Sequence, residues 1–137
     1  VLVGSGNPEE GDLRPQLLDR FGLSVEVKTP TAVADRLLVI QRRDAFERDA
    51  TAFMAQWAPE EEKIRKKLVA ARKRQAKLEV PAAVLEKAVT LCMELGTDGV
   101  RGELTLLRAA RACAALEGAH EVTDTHMKRV APLALRH

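Results

Sequence analysis

The chain has 137 residues, of which 46% are apolar and only 3% aromatic, so the sequence predicts one domain with a core of Leu, Val and Ala. Its 22 basic and 20 acidic residues leave a formal charge of +2, too small by itself to indicate a polyanionic partner. The two cysteines lack ligand spacing, no basic leader begins the chain, and no apolar run approaches the roughly 18 to 20 residues of a membrane helix. We therefore expect a soluble, cytoplasmic protein without a disulfide framework or a metal site.

The first 30 residues predict two short strands on either side of a loop and a short helix. Val1–Val3 form an apolar, β-branched run typical of a buried parallel strand, and Leu23–Val27 alternate as a second strand would. Between them, a helix is predicted from Leu13 to about Arg20, with Asp12 as its cap. Because two strands alone make no stable sheet, the pattern indicates either a helical bundle with a β ribbon or, as we favour, part of something larger.

Helices dominate the rest of the chain. They are predicted from residue 30 to about 48, 50 to 57, 59 to 77, 81 to 96, 101 to 118 and 124 to about 135. Pro59 is expected to separate the second from the third, Gly96 and Gly118 to end two others, and Thr123 to cap the last. The predicted fold class is therefore mainly α with a small β part.

Two polar residues near the amino terminus stand where a ligand site is expected. Asn7 follows the first predicted strand, and in parallel sheets ligands bind outside the carboxyl ends of the strands. Its amide either orients a water beside a phosphate or makes an Asx turn before a proline. Arg20 ends the short helix, anchored by Phe21; its guanidinium either reaches a phosphate or serves the helix dipole and pairs with Asp19 or Glu9.

Further along, charged residues offer weaker signals. Arg101 begins the most strongly patterned helix, where a cation opposes the dipole, so that it either binds an anion beside the free N–H groups or serves no ligand. The basic stretch 63–77 contains no aromatic residue to stack a base, which favours a solvated face over a nucleic-acid site. His120, His126 and His137 lack metal-ligand spacing and are predicted to be surface residues.

The order of these residues resembles that of AAA+ ATPases of the chelatase branch. The stretch "GSGNPEEGDLRPQLLDRFG" is similar to the segment after the Walker B region, and "GVRGELTLLRAARACAALEG" is similar to the sensor 2 helix. The likeness is greatest to the ATPase (I) subunits of magnesium chelatases and covers essentially the whole chain. It implies that Asn7 is sensor 1, Arg20 the arginine finger, Asp19 a residue that orients this arginine or bridges the subunit interface, and Arg101 the sensor 2 arginine that contacts ATP.

The resemblance also implies an architecture and partners. Residues 1–48 are expected to be the carboxyl-terminal part of an α/β P-loop AAA+ core with two strands, and residues 49–137 a helical lid domain. The expected function is that of the ATPase motor of magnesium chelatase, which drives Mg²⁺ insertion into protoporphyrin IX. Its expected partners are further copies in a homo-oligomeric ring, a D subunit and a large porphyrin-binding H subunit. No porphyrin site, nucleic acid or membrane span is expected, and the location is the cytoplasm, or the plastid stroma in a phototrophic eukaryote.

One motif of that family is missing from these 137 residues. The P-loop pattern GxxxxGK[ST] does not occur. We therefore expect ATP and Mg²⁺ to serve the full-length protein and this stretch alone to bind neither productively. Two other classes stay open: part of a nucleic-acid-remodelling AAA+ motor, which predicts salt-sensitive DNA binding through residues 63–77, and a non-catalytic helical interaction module.

Overall fold

The computed structural model describes residues 1–11, 13–18, 20–97 and 99–135. Within these ranges the chain forms six α-helices, preceded by a 3₁₀ turn at Pro8–Glu10. They are α1 (Pro15–Leu18), α2 (Val33–Arg48), α3 (Ala50–Gln75), α4 (Ala82–Glu94), α5 (Arg101–Glu117) and α6 (Asp124–Ala134). The mainly helical class predicted from the sequence is confirmed.

Neither predicted strand forms. Val1–Val3 and Leu23–Val27 are irregular in the structure. A strand is stable when its backbone groups pair with neighbouring strands, and two short segments do not supply such neighbours. The backbone N–H of Ser24 instead donates to the carbonyl oxygen of Leu133 in α6 at 2.9 Å, so this segment lies against the end of a helix.

The structure also corrects the predicted break at Pro59. The two helices expected over 50–57 and 59–77 are one helix of 26 residues, α3, with the proline inside it. An interior proline removes one backbone hydrogen bond and crowds the preceding turn, at a cost of about 3 kcal/mol. The start of this helix is capped, because the Asp49 carboxylate accepts a hydrogen bond from the Ala52 N–H at 3.0 Å.

α5 forms the centre of a bundle and packs against α3, α4 and α6. Its buried residues Leu106, Ala110 and Ala114 are spaced at four-residue intervals and so form one stripe along the helix. α4 contributes Ala88 and Cys92 to the same core. No aromatic side chain is among the buried residues of the described ranges, so the core of aliphatic residues predicted from composition is confirmed.

Glycine ends α5, as the sequence predicts. Gly118 has a φ of +73°, in the left-handed region that favours glycine, and the following Ala119 N–H donates to the carbonyl of Ala114 at 3.0 Å. Gly96, with a φ of +67°, follows α4 in the same manner. These two helix ends therefore depend on local chemistry that is readable in the sequence.

The α2–α3 hairpin lies beside the bundle and is much more open. α2 has no buried residue, and α3 buries only Ala71. An aromatic cluster joins the two helices: the ring centroids of Phe46 and Phe53 are 5.8 Å apart, and those of Phe53 and Trp57 are 6.0 Å apart. The Arg42 guanidinium lies 4.7 Å from the centroid of the Trp57 ring. In the described part of the chain, no helix combines the length and the apolar character needed to cross a membrane.

Candidate functional site

Asn7 lies in an exposed turn at the start of the 3₁₀ segment. Its side-chain oxygen accepts a hydrogen bond from the Glu9 N–H at 3.2 Å, and its carbonyl oxygen accepts one from the Glu10 N–H at 3.0 Å. This is the Asx turn that the sequence allowed as one reading of Asn7. An open cleft of about 350 Å³ adjoins the turn and is lined by Ser5, Gly6, Asn7 and Glu10. With the oxygen occupied by the turn, the side-chain NH₂ is the group able to donate to a ligand.

Arg20 follows α1 in a turn whose backbone is fixed by two hydrogen bonds. The Arg20 N–H donates to the carbonyl of Leu17 at 3.1 Å, and the Phe21 N–H donates to that of Leu18 at 2.9 Å. The Arg20 side chain is exposed and has no ion pair within the described residues. Asp19, the residue expected to orient it, lies outside the described residues. The backbone of this cation is thus held while its guanidinium faces solvent.

The segment that contains Asn7, the turn that contains Arg20 and helix α5 are connected by close contacts at two glycines. A Cβ placed on Gly4 would lie 3.6 Å from Cζ of Phe21, so the Phe21 ring packs directly on the chain three residues before Asn7. A Cβ placed on Gly22 would lie 3.6 Å from Cγ2 of Thr105 in α5. Phe21 and Gly22 therefore connect the segment of Asn7 with the first two turns of α5.

Arg101 is the first residue of α5 and is exposed. The residue before it, Val100, supplies no side-chain cap, and the first backbone bond of the helix runs from the Leu104 N–H to the Val100 carbonyl at 3.1 Å. The first N–H groups of a helix have no backbone partner inside the helix. A guanidinium beside such N–H groups suits an anionic ligand.

Two neighbours of Arg101 were missed by the sequence reasoning. A Cβ placed on Gly102 would lie 3.3 Å from Oγ1 of Thr97 and 3.6 Å from Cδ2 of Leu135, so glycine lets α5 approach both the preceding turn and the end of α6. Oε2 of Glu103 is buried without a hydrogen-bond partner among the described residues. The sequence feature that could have indicated this close approach is a glycine in the first turn of the best-patterned helix, where glycine lowers helix stability by about 1 kcal/mol relative to alanine.

His126 is predicted to be a surface residue and is instead buried, with 6% of its surface exposed. The Thr123 N–H donates to its Nδ1 at 3.0 Å, so the ring hydrogen is assigned to Nε2, which donates to Oε2 of Glu117 at 3.1 Å. Arg129 also donates to the Glu117 carboxylate. The missed signal was Thr-x-x-His at the start of α6, a capping box in which histidine takes the place of the usual Glu or Gln.

Within the described residues, neither His120 nor the two cysteines belong to a metal-binding group. His120 is exposed, as predicted, and His137 lies outside the described residues. Cys92 and Cys113 are free thiols; burial, followed by the charge of Glu103, raises the pKa of Cys92. Among the described residues, no group of three or more His, Cys, Asp or Glu side chains is arranged to hold a metal ion.

Comparison with known proteins connects these features. Residues 85–137, from within α4 onward, match the model of the AAA lid domain family. All 137 residues align with the magnesium-chelatase 38 kDa subunits of Acidiphilium rubrum and Rhodobacter capsulatus, at 62% and 59% identity, covering 40% and 39% of those proteins. They align at 43% identity with the magnesium-chelatase subunit ChlI of Anabaena variabilis, covering 40% of it.

The chain therefore spans about two fifths of the length of the curated relatives that it matches. The resemblance predicted from the motifs around Asn7, Arg20 and Arg101 is confirmed: residues 85–137 match the model of the AAA lid domain family, and the chain as a whole is similar to a magnesium-chelatase subunit.

Proposed function

We propose that this chain is the arginine-finger and lid portion of the ATPase motor subunit of a magnesium chelatase. In the full-length protein, ATP hydrolysis would be coupled to insertion of Mg²⁺ into protoporphyrin IX during (bacterio)chlorophyll biosynthesis. The observation that carries the proposal is the alignment of all 137 residues, at 62% identity, with a subunit of that name. The structure adds that the three candidate residues are exposed and lie on connected segments.

Arg20 is proposed as the arginine finger that acts on the nucleotide of an adjacent subunit. Its guanidinium is exposed and is not occupied by an ion pair within the described residues, so it is available to a phosphate. The Phe21 ring, packed against Gly4, braces the turn that carries it. Such an arginine offsets the charge that develops during phosphoryl transfer, an effect of about 10³ to 10⁵ in rate in other NTPases.

Asn7 and Arg101 are proposed as the sensor residues, and Asp19 as a residue that orients Arg20 or bridges the subunit interface. The Asn7 NH₂ would donate to the attacking water or to a phosphate oxygen, and Arg101 would contact the nucleotide from the lid. Bound ATP and Mg²⁺ supply the transferable phosphoryl group and neutralise part of its charge. These residues would contact such a nucleotide from outside. They would not form the loop that holds its phosphates, because the acidic side chain of Glu10 lines the cleft beside Asn7.

The division of the chain and its assembly belong to the same proposal. Residues 1–48 would be the end of the AAA+ core, in which Val1–Val3 and Leu23–Val27 pair with strands of the full-length protein, and residues 49–137 the lid. The proposed boundary lies at Asp49, between α2 and α3. Because these two helices pack on each other, the core part and the lid would stay in contact at this boundary. The proposed partners are further copies in a ring, the D subunit and the porphyrin-binding H subunit, in the cytoplasm or plastid stroma.

Substitution of the two arginines in the full-length protein tests this function. Arg20→Ala is expected to lower the ATP hydrolysis rate about 10³-fold or more, and Arg101→Ala to lower it as well. Mg²⁺ insertion into protoporphyrin IX, followed by absorbance with the partner subunits present, should fall in parallel. Arg72→Ala removes an exposed arginine of α3 and serves as the control, with near-normal rates expected. Near-normal ATPase activity in both arginine variants would overturn the proposal.

A mixing experiment tests whether Arg20 acts across a subunit interface. Full-length Arg20→Ala protein is mixed with full-length protein whose P-loop lysine is replaced. If the finger acts in trans, mixed rings contain sites with an intact P-loop on one subunit and an intact Arg20 on its neighbour, and activity returns in part. If Arg20 acts within its own subunit, neither protein supplies a complete site and the mixture stays inactive.

The relatives reported above favour neither alternative function. A nucleic-acid-remodelling motor requires a surface that stacks or tracks bases, and the aromatic residues Phe46, Phe53 and Trp57 pack among themselves at the hairpin instead. A non-catalytic interaction module predicts that Arg20→Ala and Arg101→Ala leave the full-length activity intact, which the first experiment measures directly.

A further inference from the structure

The two halves of α3 differ in how their positive charges are balanced. In the first half, Nζ of Lys63 lies 2.8 Å from the Glu60 carboxylate, and Arg65 makes hydrogen bonds of 2.6 Å to Glu62. Beyond residue 65, no acidic residue occurs until Glu79. In the second half only Lys66 has a carboxylate at i−4, that of Glu62, which is already bonded to Arg65; the other cations have none at i−3 or i−4.

Four cations of this second half share one face, and a fifth follows just beyond the helix end. They are Lys66, Lys67, Lys73 and Arg74 in α3 and Lys77 after it, all exposed, and we call them the basic face. Lys66 and Lys73 are seven residues apart, as are Lys67 and Arg74, which is two helical turns and places each pair on the same side. None of the five makes an ion pair within the described residues.

Uncompensated like charges on one helical face repel one another, and neighbours at i, i+3 and i, i+4 repel most strongly. Arg74 and Lys77 are close to each other in the turn that ends α3, where the Lys77 N–H donates to the Arg74 carbonyl at 2.9 Å. The whole chain is nearly balanced, with 22 basic and 20 acidic residues, so the basic face is a local concentration and not a general excess. An anionic partner would relieve this repulsion.

We propose that the basic face is a docking surface for an acidic protein segment. From residue 66 to its end at Gln75, α3 rises about 14 Å, and Lys77 follows in the next turn, so the basic face is about as long as five residues of extended chain. A run of roughly five or six Asp and Glu residues therefore matches it in both charge and reach. This interaction does not depend on the ATPase role proposed above.

The composition of the face favours an acidic protein over the two other common polyanions. Single-stranded nucleic acids are held by aromatic side chains that stack on bases, and no aromatic residue lies between residues 58 and 77. Membrane-surface helices place apolar residues beside their basic ones. Here Ala70 lies within the basic face and Val69, 42% exposed, lies beside it, whereas Leu68 is farther round α3 and Ala71 is buried in the bundle, so the apolar surface next to the cations is small.

The test uses the full-length protein and a fluorescein-labelled heptaglutamate peptide, with binding followed by anisotropy. We expect saturable binding that weakens about tenfold between 50 and 200 mM NaCl, because exposed charges are screened. The double variant Lys66→Gln/Lys73→Gln should weaken binding about three- to tenfold. Arg36→Gln/Arg72→Gln removes the same charge from exposed positions outside the basic face, and should change binding less than twofold. Unchanged circular dichroism in both variants excludes unfolding as the cause.

Four results would overturn the proposal. The first is that the peptide does not bind. The second is that both double variants weaken its binding equally, which indicates unspecific attraction. The third is that a 20-nucleotide single strand, or vesicles with 30% phosphatidylserine, bind more tightly than the peptide and with the same variant pattern. Finally, Lys66→Gln/Lys73→Gln abolishes self-association of the full-length protein in sedimentation without peptide, which makes the basic face a contact between copies.

Discussion

The α4–α6 bundle and the α2–α3 hairpin are both helical, but their apolar residues have different surroundings. Leu106 and Cys92 in the bundle are 0% exposed, whereas Leu37 and Leu38 of α2 are 52% and 46% exposed. Apolar residues recur at helical spacing in both regions. The difference teaches that such spacing predicts a helix, while burial depends on which surface lies against it.

Core truncation should separate the two regions most strongly. Leu106→Ala is expected to cost about 2 to 5 kcal/mol, because it removes a fully buried side chain and leaves a cavity in the bundle. Leu38→Ala makes the same chemical change in α2 and should cost less than about 1 kcal/mol. Urea denaturation of the 137-residue chain, followed by circular dichroism, measures both. Equal costs would mean that the hairpin and the bundle do not differ in packing.

The histidine network should show how much of the bundle's stability is polar. His126→Ala removes the acceptor for the Thr123 N–H and the donor to Glu117, for an expected loss of about 1 to 3 kcal/mol. His126→Gln should recover part of this loss, since glutamine also closes a capping box. His120→Ala, at an exposed position, is the control and should have little effect. The same denaturation experiment applies, and no recovery by glutamine would argue against the capping role.

The glycine after α5 should be sensitive to substitution. Gly118→Ala places a side chain at a φ of +73°, with its Cβ 2.8 Å from Nη1 of Arg74, and should cost about 1 to 2 kcal/mol. Gly6, in the open amino-terminal segment, has no atom within 4 Å of such a Cβ, so Gly6→Ala should be close to neutral. Thermal melts of the two variants compare the regions directly; a larger loss at Gly6 would contradict the open description of that segment.

The smallest effect is expected from a surface ion pair and depends on pH. A hydrogen bond from Lys128, together with the charges of Lys128 and Lys87, lowers the pKa of Asp124 below its usual value of 3.8. Its stabilising contribution is therefore fully present above that value and is lost as the pH falls through the lowered pKa. Asp124→Asn should be slightly less stable than the unsubstituted chain at about pH 7, and the difference should vanish near pH 2. A difference that persists in acid would assign the effect to something other than the carboxylate charge.

Helix ends were predictable where one residue determines them. Gly118 fixes the end of α5 through its left-handed backbone, and Thr123 fixes the start of α6. Features that depend on distant parts of the chain were not predictable in this way. Val1–Val3 have the composition of a strand but no partner strand among the described residues, and Pro59 interrupts a hydrogen bond without ending α3.

The same difference between local and long-range features applies to the candidate site. The Asx turn of Asn7 is local, and the sequence already offered it as one of two readings. The contacts of Gly4 with Phe21 and of Gly22 with Thr105 join residues far apart in the chain, and no local pattern reveals them. The roles of Asn7, Arg20, Asp19 and Arg101 in catalysis stay predictions, because they depend on a nucleotide and neighbouring subunits.

The continuity of α3 has a mechanical consequence. A helix of 26 residues is about 39 Å long, and it carries Trp57 near one end and the buried Ala71 near the other. If the bundle end is held, a tilt of about 5° displaces the far end by roughly 3 Å, close to the width of an atom. A rigid-body tilt of α3 would therefore be amplified along its length, and Pro59, which lacks one backbone hydrogen bond, is the position where the helix would bend most easily.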